Sequence, residues 1–139
     1  MSEQDNLKLV QEGYADFGRG DVQSLLGKFA EDIEWVSPGS KNNPLAGTYN
    51  GRARVGEFFK NLSDLTEMST FEPREFIAQG DKVVVLGRET GRVKATGRTF
   101  ESDWAMVFTL RNGKIVRFQE YADTANMEAA FGGSQAASA

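Results

Sequence analysis

"DWAMVFTLRNGKIVRFQEYADT", residues 103–124, carries alternating apolar residues on both sides of Arg111-Asn112-Gly113. Successive side chains of a strand point to opposite faces, and a short Gly-containing loop closes a hairpin, so the stretch predicts two paired strands. In the first, Trp104, Met106, Phe108 and Leu110 share one face, and Ala105, Val107 and Thr109 the other. In the second, alternation groups Val116, Phe118 and Glu120 against Ile115, Arg117, Gln119 and Tyr121. A carboxylate beside two apolar residues is costly to bury unless something pairs with it, which makes Glu120 the first candidate for chemistry.

Upstream of this hairpin the period of two continues. Strands are expected at 70–79, 82–93, 98–110 and 114–122, separated by Gly80-Asp81 loops of the turn type, by 95–97 and by 111–113. Before residue 69 the spacing is helical. Leu7, Val10, Tyr14 and Phe17 form one stripe over residues 4–18, and Val22, Leu25, Leu26 and Phe29 give a second short helix its buried face. Gly20 suits the end of the first helix and Asp21 the cap of the second.

"DIEWVSPG" (32–39) places Ile33, Trp35 and Ser37 on one strand face and ends at Pro38-Gly39. Residues 40–51, "SKNNPLAGTYNG", have no period and read as a loop. From Gly51 to about Leu62 a third helix buries Val55, Phe58, Phe59 and Leu62. Asp123 is placed to cap a final helical segment, "ANMEAAF" (125–131), and the small polar residues 132–139 read as a disordered tail. The fold class is α+β, with helices on one side of a mostly antiparallel sheet, in a single domain over residues 1–131. Both sheet faces carry apolar groups, and three short helices cover only one of them. A homodimer through the outer face is the economical solution.

Composition narrows the chemistry. The chain has 139 residues, 40% hydrophobic and 26% charged, with a net charge of −4. That balance argues for a soluble protein and against a nucleic-acid-binding surface, which needs clustered Lys and Arg. No apolar run reaches the length of a membrane span, and "MSEQDNLKLV" lacks the order of a signal peptide, so a cytoplasmic location is expected. There are no cysteines and no histidines. Disulfides, thiolate chemistry, the Ser-His triad and the usual transition-metal sites go with them. Acid–base chemistry must therefore use Asp, Glu, Tyr or Lys. "GRARVG" (51–56) lacks a following Lys-Ser/Thr pair, so no phosphate-binding loop is expected, and nothing calls for a metal or another cofactor.

Four segments, "YADFGRGDVQSLLGKFAEDIEWVSPG", "PLAGTYNGRARVGEFF", "FIAQGDKVVVLGRETG" and "WAMVFTLRNGKIVRFQEYADT", together resemble the SnoaL-like branch of the nuclear transport factor 2-like superfamily. That group includes ketosteroid isomerases, limonene epoxide hydrolases and polyketide cyclases. The resemblance covers about residues 5–131 and implies a cone, a curved sheet wrapped around three helices with a deep apolar pocket open at one end. It also implies dimerisation through the outer sheet face.

The family's functional residues transfer unevenly. Tyr14 stands where ketosteroid isomerases carry an oxyanion-hole tyrosine, but Ser37 replaces the catalytic aspartate before the proline, and Met106 falls at the oxyanion aspartate. The steroid-isomerase route is not expected. Arg88 matches the arginine of limonene epoxide hydrolases and Glu120 their last-strand carboxylate, while Thr90 replaces the intervening aspartate. Polyketide cyclases also use a last-strand carboxylate, and the histidine common in SnoaL-like proteins is Met106 here.

Arg88 shares a strand face with Val84 and Leu86 and is expected to point inward as the partner of Glu120. Two readings are open: a buried Glu120–Arg88 pair that only fixes the sheet register, or a proton-handling carboxylate. Without a partner, burial raises the pKa of Glu120 toward neutrality; beside Arg88 it falls. Tyr14 is either a hydrogen-bond donor to a substrate or a core tyrosine with a satisfied tip. The candidate catalytic set is Glu120, Arg88 and Tyr14. Trp35, Ser37, Phe58, Phe59, Trp104, Met106, Phe108 and Phe118 are the candidate ligand-binding residues for a small hydrophobic molecule. The functional expectation is a cofactor-independent isomerase, cyclase, lyase or hydrolase, with a non-catalytic binding or dimerisation module as the alternative.

Overall fold

A computed structural model describes residues 2–132. The expectation of a disordered tail falls, from residue 133 on, outside the described residues. The chain runs α1 (Glu3–Gly18), α2 (Val22–Leu26), β1 (Phe29–Ser37), β2 (Gly47–Asn50), α3 (Arg52–Leu65), β3 (Thr66–Gln79), β4 (Lys82–Val93), β5 (Thr99–Arg111), β6 (Lys114–Ala122) and α4 (Thr124–Phe131). Six strands form one sheet in the order β2-β1-β6-β5-β4-β3. Only β1 and β6 pair in parallel; every other neighbour is antiparallel. This is the α+β cone that the sequence predicts.

Local chemistry explains the element ends. Ser2 and Asp5 form a reciprocal capping box at the start of α1. Asp21 accepts the Ser24 N–H at the start of α2, and Asp123 accepts the Asn126 N–H at the start of α4. Phe29, expected on the second helix, instead opens β1 opposite Ile115 and is almost fully buried. The helix ends at Gly27, and an aromatic residue fits the pleated sheet well. β2 was not expected, because four residues are too few to show a period; its Tyr49 pairs with Trp35.

The inner face of the sheet closes on α1, α2 and α3. Val10, Ile33, Val55, Val83, Val85, Phe108, Ile115 and Phe118 belong to one continuous core. A second cluster of Val93, Phe100 and Ala130, with Met68, Met127 and Phe131 against it, seats α4 as a fourth helix.

Irregularities in the strands bend the sheet. β3 shifts register between Met68 and Thr70 and again between Pro73 and Glu75, with Pro73 on a sheet edge where a missing N–H is tolerated. In β4 two glycines take close contacts from large neighbours: a Cβ on Gly87 would lie 2.4 Å from the Trp104 ring, and one on Gly91 would lie 2.7 Å from the Phe100 ring.

A third irregularity changes the parity of the last strand. Thr109 pairs with Arg117 but Leu110 pairs with Ile115, which leaves Val116 as an extra residue in β6. Ile115 (1% exposed) and Phe118 (2%) are therefore both in the core. Simple alternation had grouped Val116 with Phe118 and Ile115 against it. Beyond the bulge the expected parity holds, and Glu120 lies on the inner face opposite Met106.

Candidate functional site

A cavity of about 120 Å³ lies between the inner sheet face and the helices. Its titratable groups come from four places: α1 presents Tyr14, β4 presents Glu89, β6 presents Glu120, and the β6–α4 junction presents Asp123. Most of the remaining wall is apolar. Trp35 stacks on Phe118 with ring centroids 3.7 Å apart and planes at 16°. Phe108 meets Phe118 edge-on at 5.2 Å, and Phe58 and Phe59 each pack on the Trp35 ring.

Glu120 keeps part of its surface, and that surface faces the cavity. Removal from water is the main cause of a pKa pushed up from 4.5 to about 8, and the neighbouring Glu89 adds to it. Glu89 is 6% exposed and is pushed up by burial, to about 7. Neither shift has a contribution from a cation or a hydrogen-bond donor. Glu89 thus perturbs Glu120 within a common apolar enclosure, and near neutral pH the pair retains protons that exposed glutamates would have lost.

Tyr14 sits against Trp104, with ring planes at 15°, and meets Phe76 and Phe108 edge-on. Its hydroxyl donates to Met106 Sδ at 3.0 Å, a weak acceptor. Burial raises the phenol pKa, and the Glu120 charge raises it further, so the hydroxyl stays a proton donor. Ser102 also lines the cavity. Its Oγ accepts the Asp123 N–H at 2.9 Å and donates to the Asp103 carbonyl at 2.6 Å, tying β5 to the start of α4.

Of the sequence-predicted residues, Tyr14, Glu120, Trp35, Ser37, Phe58, Phe59, Met106, Phe108 and Phe118 line this cavity. Arg88 does not. Val83 and Val85 are 0% exposed, so their face of β4 looks inward, and Arg88 lies with Val84 and Leu86 on the outer face. There its guanidinium pairs with Asp103 at 3.1 Å and Glu101 at 3.2 Å. The expected Glu120–Arg88 pair is therefore absent, and the reading of Glu120 as half of a structural ion pair falls with it. Trp104 is likewise no part of the cavity wall. Its indole fills the space above Gly87 and lies near-parallel to the rings of Tyr14 and Phe71, at centroid distances of 6.1 and 5.1 Å.

The residue that sequence reasoning missed is Glu89, along with Ser102 and Asn43 on the wall. Glu89 sits between Gly87 and Gly91 on the inward face, directly opposite Ser102. Among the described residues, no group of three or more Asp or Glu side chains could hold a metal ion, and no helix is long and apolar enough to cross a membrane.

The family described as SnoaL-like domain matches residues 10–118. An NTF2-like protein from Burkholderia xenovorans LB400 is 46% identical, with a TM-score of 0.86 over 94% of this chain and 98% of the other. TerC, co-crystallized with polyporic acid, is 32% identical, with a TM-score of 0.81 over 91% of this chain and 98% of its own. An uncharacterized protein of Mycobacterium tuberculosis strain H37Rv is 28% identical over 129 residues, spanning 92% of this chain and 97% of the relative.

Proposed function

The chain belongs to the SnoaL-like domain family, and on that premise we propose that it binds a small hydrophobic molecule in the cavity and transforms it without a cofactor. The reaction is an acid–base one, of the isomerase, cyclase, lyase or hydrolase kind. One observation carries this reading: the Glu120 carboxyl faces an apolar cavity with no cation beside it, and its pKa is poised near neutrality. A group titrating close to the working pH can both take and return a proton, which is the property a general acid–base catalyst needs. Tyr14 supplies a hydrogen-bond donor to a substrate oxygen, exchanging its weak sulfur acceptor for a stronger one. That TerC was co-crystallized with polyporic acid supports a small-molecule ligand for this scaffold. Arg88 has no part in the mechanism.

Glu120→Gln keeps the shape and removes the proton-transfer group. Across a panel of small cyclic and aromatic substrates it abolishes turnover while the ligand still quenches Trp35 emission. Equal rates for the two forms would remove Glu120 from the mechanism, and binding without turnover in the parent protein would leave a carrier. The outer sheet face, with Val84, Leu86 and Val107 half-buried at its centre, goes with a homodimer in this proposal. Sedimentation at micromolar concentration tests that, and a strict monomer refutes it.

A further inference from the structure

The charges around the cavity all have one sign. Glu89, Glu120 and Asp123 line it, and among the described residues no lysine or arginine does. Three basic side chains have partners away from the cavity: Lys28 is paired with Asp16, Arg52 donates through Nη2 to the Phe29 carbonyl, and Arg88 faces the outer side. Glu89 is more than nine-tenths buried, lines the cavity and has no hydrogen-bond or ion-pair partner among the described residues. Ionising two unpaired carboxyls in an apolar enclosure is costly, and a ligand that brings positive charge or hydrogen-bond donors offsets that cost. Trp35 and Phe118, stacked on one another, line the same cavity and give the enclosure an apolar wall for the rest of such a ligand.

We propose that the ligand of this cavity is a small aromatic or cyclic amine, its ammonium held between Glu89 and Glu120 and its ring packed against Trp35 and Phe118. The inference rests on the cavity being the ligand site proposed above. The volume of about 120 Å³ is of the order of an engineered cavity of about 150 Å³ that takes up benzene, so the enclosure holds one ring and no second. An anion of the same shape meets carboxylates and no counter-charge, so it is excluded. With the amine bound, one carboxylate serves as its ion-pair partner and the other is free to move a proton.

The test uses three probes of one shape: 2-phenylethylamine, 2-phenylethanol and 3-phenylpropanoate, titrated by Trp fluorescence and calorimetry. At about pH 8.5 the amine is still protonated and the carboxyl pair is largely ionised. There the amine binds about tenfold or more tighter than the alcohol, and the carboxylate does not bind. Lowering the pH to about 6 protonates the pair and shrinks the amine's advantage. The titratable groups facing the ammonium are Tyr14, Glu89, Glu120 and Asp123, and the two glutamates change state across that window. Glu89→Gln and Glu120→Gln each reduce amine affinity and spare the alcohol. If the alcohol binds as tightly as the amine at every pH, or if the carboxylate binds best, the ligand class is wrong while the pocket reading stands. If none of the three binds at millimolar concentration, both readings fall. The pH series on the parent protein decides the question even if a variant does not fold.

Discussion

Replacing Glu120 with glutamine tests the burial argument through stability, independently of any substrate. In the fold Glu120 titrates near 8, against 4.5 when solvated, because burial disfavours the charged form. Between those values the folded chain holds a proton that the unfolded chain has released. Stability then falls as pH rises, at roughly 1.4 kcal/mol per pH unit for each such proton. Below about pH 4.5 both states are protonated and the dependence vanishes; above about 8 both are ionised and the whole penalty is present. The full span sets an upper bound of roughly 5 kcal/mol for Glu120, and its coupling to Glu89 lowers the share that one substitution recovers.

Glutamine fills the same space and carries no ionisable proton. Glu120→Gln therefore changes little at pH 5 and stabilises the fold by about 2–4 kcal/mol at pH 8. Glu89 is raised by burial alone, so it keeps its own pH dependence in the variant. Urea denaturation followed by Trp emission at fixed protein concentration, at pH 5, 6, 7, 8 and 9, measures this directly. Parallel stability curves for the two proteins would show that Glu120 titrates like an exposed glutamate, and the acid–base proposal would lose its basis.

Gly87→Ala places a methyl group 2.4 Å from the Trp104 ring and 2.5 Å from the Glu72 carbonyl oxygen, so the urea midpoint drops by the equivalent of about 1–3 kcal/mol; an unchanged midpoint would mean that Trp104 does not sit over this glycine. Arg88→Ala costs less than about 1 kcal/mol, since its ion pairs are on the outer face, and leaves ligand affinity unaltered. A sharp loss of affinity in that variant would return the arginine to the cavity. Phe118→Ala removes a 2% exposed ring stacked on Trp35 and lowers stability by about 3–5 kcal/mol with a shift in Trp emission. Asp123→Ala frees the Asn126 N–H and costs about 1 kcal/mol, read from the thermal midpoint.

Element order was legible because periodicity survives without tertiary context. β4 and β6 are set off by Gly80-Asp81 and Arg111-Asn112-Gly113, whose backbones take positive φ at Gly80, Asn112 and Gly113, and their bounds match the period-two reading. What the period could not carry was the direction of a face. Val83, Val84, Val85 and Leu86 are four consecutive apolar residues, so they do not say which pair looks inward. Arg88 was assigned inward with Val84 and Leu86, and the assignment was inverted. In β6 the extra residue Val116 defeated strict alternation, yet Glu120 kept its inward side because Phe118 and Glu120 both lie beyond the bulge.

A signal for the correct face was present in residue size. Pairing β4 with β5 across the 95–97 turn sets Gly87 opposite Trp104 and Gly91 opposite Phe100. An aromatic ring lying over its cross-strand neighbour on the same face needs that neighbour to lack a side chain. The two glycines therefore mark the Trp104 face of β4, and the residue between them on that face is Glu89. Outside, Thr90 reaches Thr70 through a 2.8 Å hydroxyl contact, as an exposed cross-strand pair does. Correcting this one parity does more than exchange two residues. It takes the guanidinium out of the enclosure and puts a second carboxyl in, so the site changes from a self-neutralised ion pair to an uncompensated acidic one. A neutralised pair would lower the pKa of Glu120 and leave nothing for a ligand to complete, whereas a second carboxyl raises it and leaves a charge that a ligand can satisfy.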